Sequence, residues 1–212
     1  MNPAFLIVTF LILGVAVYII LNNKDRLLKR KLKKEKTRPI DSFLDGETGK
    51  IVGRVEYFEE FLYAPLTERR CAYFQVKVRK TGKNSYLLVE EENALDFLVN
   101  DGKNVALIKT QHIQAVLKKD MTAETGFWAQ TPPRFKQFLK ERGKNSQGIF
   151  GITQSLEYQE GVLQAGETAS IIGTGTWQKA EGRLAEKGLT KILVIEGTKE
   201  NPVLISDLPS TH

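Results

Sequence analysis

Hydrophobic and polar positions divide this chain into three textures. Ala4 to Leu21 (AFLIVTFLILGVAVYIIL) runs eighteen residues without a charge. At about 1.5 Å per residue a helix of that length spans about 27 Å, close to the roughly 30 Å hydrocarbon core of a bilayer. The stretch has no polar face, so it does not read as a helix half-buried in a soluble core. No lysine or arginine precedes it, and no small-residue cleavage site follows Tyr18-Ile19-Ile20-Leu21. It therefore reads as an uncleaved transmembrane anchor over residues 1–21 rather than as a signal peptide. Residues 22–38 (NNKDRLLKRKLKKEKTR) are densely basic. After Pro39 the chain changes again, into short alternating runs.

Those runs predict strands. Lys50–Tyr57 sets Ile51, Gly53 and Val55 against charged neighbours, and in Arg70–Arg79 the parity of Ala72, Phe74, Val76 and Val78 reads as core-facing. A turn at Thr81–Asn84 leads to Ser85–Val89, and Asn100–Lys103 joins Leu95–Val99 to Val105–Lys109. Ile113–Leu117, Ser155–Gln159, Thr168–Ile172, Trp177–Leu184, Ile192–Glu196 and Val203–Ser206 follow, with glycine-containing turns between the later ones. One helix interrupts them. Thr131-Pro132-Pro133 starts it, Phe135, Phe138 and Leu139 form its apolar stripe, and Gly143 ends it. The pattern predicts a mainly β fold: an antiparallel β-barrel or folded-over sheet with one short α-helix, preceded by the transmembrane helix. The expected domains are the anchor at 1–21, a basic juxtamembrane linker at 22–47 and a β-rich domain at 48–212.

Charge sharpens the division. The chain has 212 residues and a formal charge of +6. Residues 22–38 hold nine basic and two acidic residues, a net +7, and nothing before them is charged, so everything after them sums to −1. A nucleic-acid-binding domain spreads cations over its face, and this one does not, so no nucleic-acid partner is expected. Basic residues flanking a span stay on the cytoplasmic side, which places the N-terminus outside and the β-rich domain in the cytoplasm of a single-pass membrane protein. Lys24, Arg26, Lys29, Arg30, Lys31, Lys33 and Lys34 are then candidates for contact with anionic lipid headgroups, each worth about 1 kcal/mol. Leu27, Leu28 and Leu32 interleave with them, as in a helix lying on lipid.

Catalytic chemistry is sparse. The single cysteine rules out an intrachain disulfide, and one Cys with two His does not make a multi-zinc site. Cys71 falls in a predicted strand and reads as a small buried residue. His112 reads as a rim or edge-strand residue, and His212 is the last residue. Glu90-Glu91-Glu92 alternate in direction on a strand and so do not converge; they read as a solvated turn. Gly173-Thr174-Gly175-Thr176-Trp177 reads as a tight turn. No cofactor, metal or catalytic residue is expected.

One stretch is more specific. Leu62-Tyr63-Ala64-Pro65-Leu66-Thr67-Glu68-Arg69-Arg70-Cys71-Ala72-Tyr73-Phe74 resembles the S/A-P-L-T…C-x-Y-Y/F signature of the GIDE/MULAN family, the beside-a-membrane domain of membrane-anchored ubiquitin ligases. Phe97–Leu117, Phe138-Leu139 with Gly143, Ser155–Gly173 and Pro202–Ser206 resemble later family blocks in the same order. The family's ligases add a second span and a RING with eight Cys/His ligands; this sequence holds three such residues in all, so the resemblance does not imply ligase activity. Pro65, Leu66, Cys71 and Tyr73 carry the resemblance as structural residues. Thr67 and Arg70, polar beside a fixed turn, are candidates for contact with a protein partner. The expected function is a membrane-anchored, non-catalytic interaction domain. The alternatives are a RING-less component of a ubiquitin-ligase-like system and a lipid or small-ligand binder.

Overall fold

The computed structural model describes residues 24–83, 85–125, 131–145 and 155–212. The expected anchor at 1–21 lies outside the described residues. Among the described residues no helix is long and apolar enough to cross a membrane.

Five strands close into a barrel. β1 (Glu47–Tyr57) pairs with β6 (Phe97–Asn100), β6 with β7 (Val105–Ile108), β7 with β12 (Lys191–Glu196), β12 with β11 (Thr168–Lys179), and β11 returns to β1. Along the chain the barrel order is first, second, third, fifth, fourth. The third and fifth strands run parallel and the other pairs antiparallel. This is the Greek-key connectivity of an OB-type barrel. The expectation of a barrel is met, with a difference in strand direction. β7 with β12, and β8 (Ile113–Val116) with β13 (Val203–Ser206), are parallel pairs. Parallel neighbours need long crossovers, and the chain between β7 and β11 supplies one.

Ile51, Val55, Phe97, Val99, Ala106, Ile108, Ala169, Ile171, Leu193 and Ile195 fill the interior. Closure requires strands to bend, and glycine marks the bends. β1 pairs with β11 up to Arg54 and with β6 from Arg54 onward. At this changeover a Cβ on Gly53 would lie 2.5 Å from the Asn100 carbonyl oxygen. Gly173 and Gly175 were expected in a turn, but they sit inside the twelve-residue strand β11. A Cβ there would meet Ile195 at 2.5 Å and the Phe43 ring at 2.9 Å, respectively, so these glycines make room for side chains. The expected strand Trp177–Leu184 also ends early, at Lys179, and Arg183–Glu186 forms a short helix, α3.

Two insertions build a second layer. β2 (Leu62–Tyr63), β3 (Arg70–Cys71), β4 (Tyr73–Lys80) and β5 (Tyr86–Ala94) lie between the first two barrel strands; β8, β9 (Met121–Thr125), helix α2 (Pro133–Glu141) and β10 (Leu156–Leu163) lie between the third and fourth. They meet as a four-stranded sheet ordered β5-β4-β10-β9. Phe74, Val76 and Val78, on the parity read as core-facing, pack with Phe135, Phe138 and Leu139 of α2. Phe135 stacks on Tyr158 with ring centroids 4.0 Å apart. Glu90–Glu92, read as a turn, run within β5 instead. Glu91 pairs with Arg142 beyond α2, while Glu90 pairs with Lys77 on the opposite face.

The segment read as a linker is built into the fold. Residues 24–34 form a helix, α1. Its Leu28 and Leu32 are buried against Val116, Ile172 and Leu204, on the outer face of β8, β11 and β13. Ile40 and Phe43 belong to the barrel core.

Candidate functional site

Three places hold the chemistry that the sequence marks. The first is α1. Leu28 and Leu32, one turn apart, face the sheet at 8% and 0% exposure. Asp25, three positions before Leu28, lies toward the same side of the helix but is exposed. The remaining positions turn outward. Lys24, Arg26, Arg30, Lys31, Lys33 and Lys34 are exposed, and Lys29 is half-buried. The leucines expected to meet lipid thus divide. Leu28 and Leu32 are taken up by protein, and only Leu27, 59% exposed, remains open. What α1 presents outward is almost entirely positive charge on a fixed scaffold.

The second place is the turn carrying the family-like motif. β2 and β3 form a small hairpin, and its turn is fastened from below by Glu160 of β10. This carboxylate has no exposure. It accepts the backbone N–H of Leu66 at 2.7 Å and of Thr67 at 2.9 Å. The Arg134 guanidinium of α2 donates to the Pro65 carbonyl at 2.8 Å and approaches Glu68 at 3.4 Å. Glu68 sits at φ 57° and donates its N–H to the Ala64 carbonyl at 2.9 Å. Leu66 and Cys71 are buried in the α2 core, and burial pushes the Cys71 thiol up to about 12, with the charge of Glu160 adding to it. Tyr73 is fully buried along its ring, and its hydroxyl donates to Glu92 at 2.6 Å while accepting from Gln75 at 2.6 Å. Burial, reinforced by Glu92, raises the pKa of that phenol.

Thr67 and Arg70 flank this turn. The Thr67 hydroxyl accepts from Arg69 at 3.4 Å. Arg70 places its guanidinium 4.8 Å from the centre of the Phe61 ring, and Phe61 meets Tyr63 edge-to-face at 5.4 Å. Phe61 and Tyr63 are 36% and 57% exposed, an aromatic pair capped by a cation at the molecular surface. Sequence reasoning passed over Phe61 and Glu160, and quoted Tyr63 in the motif without giving it a role. The signal for Glu160 was available, because it shares strand parity with Leu156, Tyr158 and Val162. A charge on a core-facing parity marks a group with a fixed partner.

The third place is a cleft of about 400 Å³ between Tyr73, Glu92 and the loops around β8 and β13, with His112 and Lys199 in its lining. His112 thus sits at a rim, just before β8, and its carbonyl accepts the Val203 N–H at 2.9 Å. On the far side of the barrel, the outer face of β6, β7 and β12 carries Leu98, Leu107, Ile192 and Val194. They lie under Ala180 and Leu184 around α3. This strand face is where OB-type barrels commonly hold oligonucleotides; here a helix and its apolar contacts occupy it.

No family model matches the chain, and no curated protein or solved structure matches it.

Proposed function

We propose that this chain is a membrane-anchored, non-catalytic interaction domain. The apolar stretch 4–21 holds it in the bilayer, the outward face of α1 rests on anionic lipid, and the β2–β3 hairpin is offered to a protein partner on the cytoplasmic side. The observation that carries the reading is the docking of α1. Leu28 and Leu32 fix the helix to the β-sheet, so its cations stand as a rigid surface directly after an uncharged eighteen-residue stretch. The aromatic pair Phe61 and Tyr63 with Arg70 supports the partner surface, since aromatic and arginine side chains dominate protein interfaces. The resemblance to the GIDE family, a beside-a-membrane domain, supports the same placement.

The test uses the full chain in bilayer discs. Cys71 is fully buried, so a cysteine introduced as Arg30→Cys is the reactive thiol. A polarity-sensitive dye on that thiol is expected to move to a less polar environment when phosphatidylserine is added to phosphatidylcholine. An unchanged spectrum sinks the lipid-facing role of α1. A photo-crosslinker at Tyr63 is expected to capture one partner in native membranes, and one at Lys187 is not. Identical capture patterns from both positions sink the hairpin as the partner surface.

A further inference from the structure

The β4–β5 hairpin lies beside the start of α1, and the reading above gives it no role. A cleft of about 220 Å³ is lined by Asp25 of α1, Lys77 and Arg79 of β4, and Lys119 after β8. Asp25 is four residues beyond Leu21, and four residues extend at most about 14 Å. If Leu21 marks the hydrocarbon boundary, the cleft falls in or next to the headgroup layer.

The chemistry of the hairpin suits that position. Lys77 is paired with Glu90 at 2.8 Å. Arg79 and Lys119 form no ion pair with any carboxylate among the described residues. Three carboxylates stand close by position: Asp25, in the cleft lining; Glu157, the cross-strand neighbour of Arg79; and Asp120, next to Lys119, which is paired with Arg69. Past Arg79 the hairpin exposes Tyr86 and Leu87, at 49% and 41%. Leu87 is the cross-strand partner of Arg79, and Lys80 lies 5.7 Å from the Tyr86 ring centre. Arg79 with Leu87 takes one side of this hairpin and Lys80 with Tyr86 the other, so its end carries a tyrosine, an aliphatic side chain and cations, the amphipathic combination favoured at membrane interfaces.

We propose that the tip of the β4–β5 hairpin, with the cleft between it and α1, is a second bilayer contact. Arg79 and Lys119 take anionic phospholipid headgroups there, and Tyr86 and Leu87 enter the interfacial layer. The proposal rests on the anchored reading above. With α1 it makes a two-point attachment, which sets how the barrel is tilted on the membrane and where the β2–β3 hairpin points.

The experiment uses full-length Tyr86→Cys carrying the same dye, in discs of phosphatidylcholine with or without phosphatidylserine. Labelled Lys103→Cys, on the β6–β7 turn, serves as a distant control. The expected result is a blue shift at position 86 that requires phosphatidylserine, with none at position 103. Arg79→Gln and Lys119→Gln should each reduce the ratio of docked to free hairpin about fivefold, as about 1 kcal/mol per surface cation implies. A shift at Arg30→Cys with none at position 86 overturns the hairpin contact and leaves the anchored reading intact. A shift at position 86 that ignores phosphatidylserine overturns headgroup recognition. Failure of the chain to enter discs of either composition overturns both readings together.

Discussion

Glu160 organises the motif turn from inside the molecule. An unpaired carboxylate with no exposure would be costly, and here two backbone amides satisfy it. Glu160→Ala leaves the Leu66 and Thr67 N–H groups without their acceptor in a buried setting, so a loss of about 1–3 kcal/mol is expected in urea unfolding. Glu160→Gln keeps one acceptor oxygen and should lose less. Equal losses for the two variants would mean that one acceptor oxygen is not enough, because Gln matches Glu in volume and lacks only the charge and the second acceptor. Asp207 presents a different case. Burial pushes its carboxyl up to about 6, with Glu167 and Asp120 adding repulsion, while it accepts the Lys118 N–H at 2.7 Å. Its usual value is 3.8. The folded state therefore holds this proton more tightly than the unfolded chain does, and the group lowers stability as pH rises from about 4 to about 6. Asp207→Asn keeps an acceptor for Lys118 and removes the charge. It should be more stable than the parent at about pH 7, with the gap closing near pH 4. A gap that stays constant across that window would show that Asp207 is not the titrating group.

Among the elements, α1 shows best where sequence patterns stop. Its helical spacing was legible, since Leu28 and Leu32 fall one turn apart among lysines. What those leucines face was not. The same stripe suits a lipid surface or a protein sheet, and the partner side chains Val116, Ile172 and Leu204 come from strands far along the chain. Replacing Leu32 should separate the two roles of the helix. Leu32→Ala removes a fully buried side chain and should cost about 2–5 kcal/mol of docking energy. The exposed lysines of α1 then report the release, because trypsin cleaves peptide bonds readily only when the helix opens. Faster cleavage at Lys29 to Lys34, with the barrel strands still protected in hydrogen exchange, is the expected pattern. Cleavage at the parental rate would mean that Leu32 does not hold the helix. The α2 stripe was easier to read because its partners, Phe74, Val76 and Val78, announce themselves by strict alternation in one strand. Gly173 and Gly175 misled for the opposite reason. A glycine that makes room inside a barrel strand looks, in sequence, like one that makes a turn.

At the scale of the whole molecule, alternation and even spacing pointed to a barrel, but closure and strand order were beyond reach. Parallel pairing of β7 with β12 joins residues separated by the second insertion and β11, and no local pattern encodes it. The charge map survived the transition better, since Lys24, Arg26, Arg30, Lys31, Lys33 and Lys34 all stand exposed on α1. That separation of charge from the apolar stretch makes the proposed attachment testable in one titration. Full-length protein in phosphatidylserine-containing discs, with the dye at Arg30→Cys, is taken from physiological salt to about 1 M, where the Debye length falls from about 8 to about 3 Å. Screening should free the α1 face, and the dye should return to its aqueous spectrum. The apolar stretch owes nothing to Coulomb attraction, so the protein itself should remain with the discs. Loss of the protein from the discs at high salt would mean that residues 4–21 do not anchor it and that the basic face alone held the domain at the membrane.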